Sequence, residues 1–65
     1  MNSEAYSNLG GVLDLQGKLT ESMAAYDRAL TIAPGLATAH LNRGDALRQM
    51  AQFARALDLV TDRGV

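Results

Sequence analysis

The chain has no cysteine, one proline and a net charge near zero. Each shortage removes a class of answer. Without cysteine there is neither a disulfide staple nor a thiolate metal site. With one proline and few β-branched residues, a sheet is disfavoured. A net charge of −1, with both signs mixed along the sequence, leaves no basic stripe for nucleic acid and no polybasic patch for an anionic membrane. No apolar run approaches the roughly 20 residues that span a bilayer. The amino terminus, Met1-Asn2-Ser3-Glu4, lacks the basic start and apolar stretch of a signal peptide. A cytoplasmic location is the default expectation, with no cofactor, nucleic acid or membrane as partner.

Length sets the second limit. Sixty-five residues make one domain at most, and a chain of that size buries only about 60% of its unfolded surface. Burial and chain entropy then nearly cancel unless something staples the fold. A partner chain is the remaining source of burial.

What the sequence does contain is an echo at a spacing of 34 residues. Ala5, Asn8, Gly10 and Leu13 recur as Ala39, Asn42, Gly44 and Leu47. Each set is followed by a second apolar stretch: Leu19, Met23, Tyr26, Ala29 and Leu30, then Phe53, Ala56, Leu57 and Val60. A fixed period of about 20–50 residues signals stacked units, and such units build surfaces for holding other proteins.

The local signals divide the chain into helices. Tyr6, Leu9 and Val12/Leu13 recur at helical spacing from Glu4 to about Gln16. Ser3 is the expected N-cap, and Gly17 the expected stop, because glycine enters the left-handed conformation without steric cost. Gly10 and Gly11 lie inside this helix, at about 1 kcal/mol each against alanine. Such a cost at Gly10 implies a close helix–helix approach. The second helix is expected from Thr20, as N-cap, to about Ala33, ended by Pro34-Gly35. A third runs from about Leu36 to Met50 and a fourth from about Phe53 to Asp62. The last boundary is ambiguous. Ala51 stands where the first unit has Gly17, and no glycine or proline occurs between Asp45 and Arg63. Leu47, Met50, Ala54 and Leu57 keep helical step through the supposed turn. An alanine forced left-handed costs roughly 1–2 kcal/mol, so one continuous helix is the alternative.

These residue types resemble the tetratricopeptide repeat family, whose unit is two antiparallel helices in 34 residues. Tyr6, Leu9-Gly10 and Leu13 match the first helix of its pattern. Gly17, Leu19, Ser22, Tyr26, Ala29 and Pro34 match the turn, the second helix and the close. The second unit matches less fully: His40 replaces the aromatic, Arg43 the leucine and Ala51 the turn glycine. Val60 takes the aromatic place and Arg63 the alanine place. The resemblance implies an all-α helical-repeat stack of about four antiparallel helices, the last two fused if the turn fails. It implies a single domain over 1–65, with repeat one at about 3–36 and repeat two at about 37–65. In that family Gly10 and Ser22 are small so that the helices of a unit approach, and Ala29 so that the next unit docks.

The resemblance also implies a function class, a protein-interaction scaffold rather than an enzyme. No nucleophile–base pair, phosphate loop or metal set is evident. The first helix of each unit would line a groove for a peptide or partner helix. Its candidates here are Asn8, Asp14, Leu41, Asn42, Asp45 and Arg48. The carboxamides of Asn8 and Asn42 offer both donor and acceptor for a peptide backbone, or are simply solvated. His40 fills an aromatic place rather than serving as base or ligand, for want of partners. Arg43 lays its stem on the core and sends its head to water. The acids Asp14, Asp45, Asp58 and Asp62 form no close pair that the sequence vouches for. Met23 and Met50 are core filler. The alternative function is self-association. Two units without a cap leave apolar area bare, and Leu47, Phe53, Leu57 and Val60 are its candidates in a homodimer, domain-swapped if the last two helices fuse.

Overall fold

A computed structural model describes the backbone of residues 2–64 and the side chains of residues 2–60. The readings made for Arg63 and Asp62 fall outside the described side chains. Three helices follow in order: α1 (Ser3–Leu15), α2 (Leu19–Ile32) and α3 (Ala37–Gly64). α1 packs on α2 and α2 on the first part of α3, while α1 and α3 meet only sparsely. No strand occurs among the described residues, and the all-α expectation stands.

The caps differ from expectation by a residue or two. Asn2, not Ser3, caps α1: its Oδ1 accepts from the backbone N–H of Glu4 at 3.0 Å and of Ala5 at 3.3 Å. Asparagine reaches two orphan donors at once there, and Ser3 becomes the first helical residue. Gly17 does stop α1, with φ +77°. The Lys18 N–H bonds back to the Leu13 carbonyl at 2.9 Å and the Gly17 N–H to Asp14 at 3.0 Å, which is a Schellman ending. This turn is so tight that α2 starts immediately after it. Lys18 is therefore its N-cap, without a side-chain bond, and Thr20 lies inside the helix. The Ala33–Leu36 turn closes with the Leu36 N–H on the Ala33 carbonyl at 3.0 Å.

The core is small and built largely from small side chains. Tyr26 is fully buried, with Ser22, Ala29, Ala39 and Ala46 around the helix contacts at 0% exposure. The close approach expected at Gly10 is present. A Cβ placed there would lie 2.5 Å from Cε1 and 2.7 Å from Cδ1 of the Tyr26 ring. The glycine thus provides the seat for the largest buried side chain, and its helix-propensity cost is offset by that packing. Gly11 is looser, 3.9 Å from the Tyr26 hydroxyl. Ala29 on α2 and Ala39 on α3 are likewise small and fully buried.

Polar ties join α2 to α3. Arg43 Nε donates to Asp27 Oδ1 at 2.7 Å, so its head is tied to its own chain and not simply sent to water. Both partners are more than a third exposed, which limits the pair to roughly 0–1 kcal/mol. His40 Nε2 donates to the Pro34 carbonyl at 2.7 Å. That bond pins the turn before α3, a role distinct from the aromatic filler expected of His40, which is exposed. Met23 and Met50 are half-buried, as fillers would be.

The third and fourth helices do not separate. α3 runs 28 residues without interruption, about 42 Å at 1.5 Å per residue, and gives the molecule a long dimension of 49 Å. No described non-glycine residue has positive φ, so Ala51 has not made the left-handed turn. Of the two expectations, four helices or the last two fused, the fused one holds and gives three helices; the physical reason is the missing turn glycine. Every residue from Ala51 to Val60 is exposed.

Candidate functional site: two unequal helix faces

The first-unit candidates lie on α1. Asn8 is exposed and lines an open cleft of about 330 Å³ with Asn2, Glu4, Ser7, Leu36 and Thr38. This cleft lies between the start of α1 and the start of α3. Asn42 is half-buried further along α3, outside that lining. Asp14 is half-buried, and its Oδ1 is enclosed without a hydrogen-bond partner. The Tyr26 hydroxyl and the Ser22 hydroxyl are likewise enclosed and unpartnered.

These groups feel one another. Burial raises the pKa of Tyr26 first, and the carboxylates of Asp14 and Asp45 add to the rise. The Ser22 hydroxyl acts in the opposite direction, although neither oxygen closes a hydrogen bond of normal geometry. The carboxylates on α1 and α3 thus disfavour the phenolate of Tyr26 on α2, an effect that no spacing in the sequence announced.

The second-unit candidates lie on α3. Leu41 is 74% exposed. Asp45 and Arg48 pair with each other as neighbours on one helix face. His40, Leu41, Gly44, Asp45 and Arg48 line a shallow open surface. A Cβ built on Gly44 meets nothing within 4 Å. The self-association candidates follow on the same helix, with Leu47 at 45%, Phe53 at 67%, Leu57 at 56% and Val60 at 66% exposure. Leu59 adds to them at 57%. Phe53 also borders a shallow cleft with Gly17, Leu19, Thr20 and Met50. No group of three or more His, Cys, Asp or Glu residues suited to a metal ion occurs among the described residues. No described helix is long and apolar enough to cross a membrane.

The helix pair seated through Gly10 and Tyr26, followed by a third helix packed on the second, is a repeat architecture. A family model described as the TPR repeat matches residues 15–50, more than half of the chain. The chain belongs to the TPR family. No curated protein and no solved structure gives a match. TPR units are generally non-enzymatic and serve as protein–protein interaction scaffolds, and that coarse function applies here. The matched TPR segment ends at Met50, the residue before Ala51. The match takes in α2 and the first part of α3. Beyond it, α3 continues where a TPR turn would fold the chain back.

Proposed function

We propose that the chain is a protein-binding TPR module whose working form is a homodimer, with α3 as the self-association surface. The observation that supports it most is the exposure of the entire stretch 51–60, including Phe53, Leu57, Leu59 and Val60. Scattered apolar residues on a surface are ordinary, but a contiguous patch on a monomer is not. The small core supports the same reading. Among the described residues Tyr26 is the only large apolar side chain that is fully buried, which is little for a chain of this length. A second copy supplies the missing burial by covering the outer half of α3. Sedimentation equilibrium tests this directly: a dimer mass at micromolar concentration is expected, and a monomer across the accessible range overturns it.

A second reading rests on a separate observation, the cleft beside Asn8 with polar groups from both α1 and α3 around it. A peptide backbone running from this cleft along α3 would be held by carboxamides, with Asn8 in the cleft and Asn42 beyond its lining as the clamp. Replacing both by alanine should abolish capture of an extended peptide from a library if this groove is the binding surface. Unchanged capture excludes it. The cleft beside Asn8 is lined from the starts of α1 and α3, away from the outer half of α3.

A further inference from the structure

The outer half of α3 and the empty face at Gly44 have a specific relation through the 34-residue repeat. In the first unit, Gly10 receives Tyr26. Shifted by 34 positions, the same contact pairs Gly44 with Val60. Gly44 is bare, with nothing within 4 Å of a Cβ built on it, and Val60 is 66% exposed. Receptor and occupant are both present in one chain and both unfilled. They cannot meet within that chain, because they sit 16 positions apart on one continuous helix, about 24 Å at 1.5 Å per residue.

We infer that two copies exchange these segments: residues 53–60 of each chain seat against the His40–Leu47 face of the other, with Val60 of one copy over Gly44 of its partner. The geometry closes. Helices of a TPR unit are antiparallel, and the turn between Gly10 and Tyr26 is centred on Lys18. The shifted centre is Gln52, which lies in the middle of the exposed stretch. Two antiparallel α3 helices crossing at Gln52 place Gly44 opposite Val60 twice, once on each side. That is a self-complementary two-fold interface, the commonest closed form of association. It rebuilds the second unit from two chains.

The cause of exchange is Ala51. A turn glycine like Gly17, at φ +77°, would let the chain fold back on itself. Alanine makes that left-handed turn costly and extends the helix instead, so the second half must look for its seat elsewhere. Short or strained hinges are a general route to swapped dimers.

The inference rests on the homodimer reading, and the test separates the two. The chain has no cysteine, so single cysteines can be placed cleanly. Gly44→Cys and Val60→Cys chains are prepared separately, sized by light scattering, then mixed and oxidised. A disulfide between the two different chains is expected, with little product in either chain oxidised alone, since the two 60 positions lie about 24 Å apart in the crossed pair. A monomer before oxidation overturns the homodimer reading and the exchange together. A dimer that links 60 to 60, or gives no mixed product, overturns the exchange alone. A second variant probes the hinge. Ala51→Gly is expected to raise the dimer dissociation constant about tenfold or more by releasing the turn. An unchanged constant overturns the hinge mechanism and with it the exchange.

Discussion

Gly10 and Gly44 occupy the same place in two copies of one pattern, and their surroundings are opposite. Around Gly10 a buried tyrosine ring stands where a methyl group would have to go. Around Gly44 there is open space. The difference starts outside either glycine, at the turn residue that follows: Gly17 in the first unit and Ala51 in the second. One turn forms and brings the second helix back. The other does not, and the second helix projects forward as the outer half of α3. The comparison teaches that a repeat's packing residues are useful only if its turn delivers their partner. Gly44 is a small residue kept without that partner.

The largest test of the comparison is its pair of occupants. Tyr26→Ala removes the one large side chain that is fully buried among the described residues. A loss of about 3–5 kcal/mol is expected for an aromatic of this kind. That is comparable to the whole stability of a chain this short, at roughly 0.05–0.15 kcal/mol per residue, so the variant should be unfolded by circular dichroism. Val60→Ala, measured at a dilution where the chain is monomeric, should change stability by no more than about 0.5 kcal/mol. A comparable loss in both would mean that Val60 is already seated within its own chain.

The glycines themselves come next. Gly10→Ala puts a methyl group inside contact distance of three Tyr26 ring atoms, at 2.5–2.8 Å. Overpacking of that sort costs about 1–3 kcal/mol. Gly44→Ala meets nothing and should stabilise the monomer by up to about 1 kcal/mol through helix propensity. Denaturant midpoints read both, and the opposite signs are the result to look for. Gly17→Ala sharpens the same contrast at the turn. It forces alanine to φ +77° and should cost about 1–2 kcal/mol. A loss well below that would show that the turn can form without glycine, and the account given for Ala51 would fail.

The parts of this fold that the sequence revealed are those where local chemistry and repeat pattern agree. Gly17 as a left-handed stop, Gly10 as a close approach and the ending at Pro34-Gly35 all follow from one residue's conformational limits. The continuous α3 was legible as one of two options, because Ala51 opposes the turn while the repeat pattern asks for it. Caps were less legible. Ser3 and Thr20 are good capping residues, but a better-placed Asn2 and a tight Schellman turn won the two positions. The roles of His40 and Arg43 were hidden for another reason. Their partners, the Pro34 carbonyl and Asp27, are tertiary, and nothing in a one-dimensional pattern reports them. The groove pair Asn8 and Asn42 rests on the family resemblance and on the cleft beside Asn8. Burial and side-chain direction, which decide whether both face one peptide, are not written in the spacing.

The smallest effect at neutral pH concerns the Tyr26 hydroxyl. It is enclosed and unpartnered, so Tyr26→Phe removes a polar group that earns little, and stability at neutral pH should change by less than about 1 kcal/mol. The contrast appears in alkali. Burial and the nearby Asp14 and Asp45 carboxylates hold the folded-state pKa above the usual value of 10.0. Below that value the phenol is protonated in both states and pH has no effect through it. Above it the unfolded chain releases the proton while the folded chain keeps it, so stability falls as pH rises, by up to about 1.4 kcal/mol per pH unit. Unfolding curves taken above pH 10 should therefore be steeper in pH for the natural chain than for Tyr26→Phe. Equal slopes would mean that the ring is hydrated rather than buried, and the seat at Gly10 would then be no better filled than the one at Gly44.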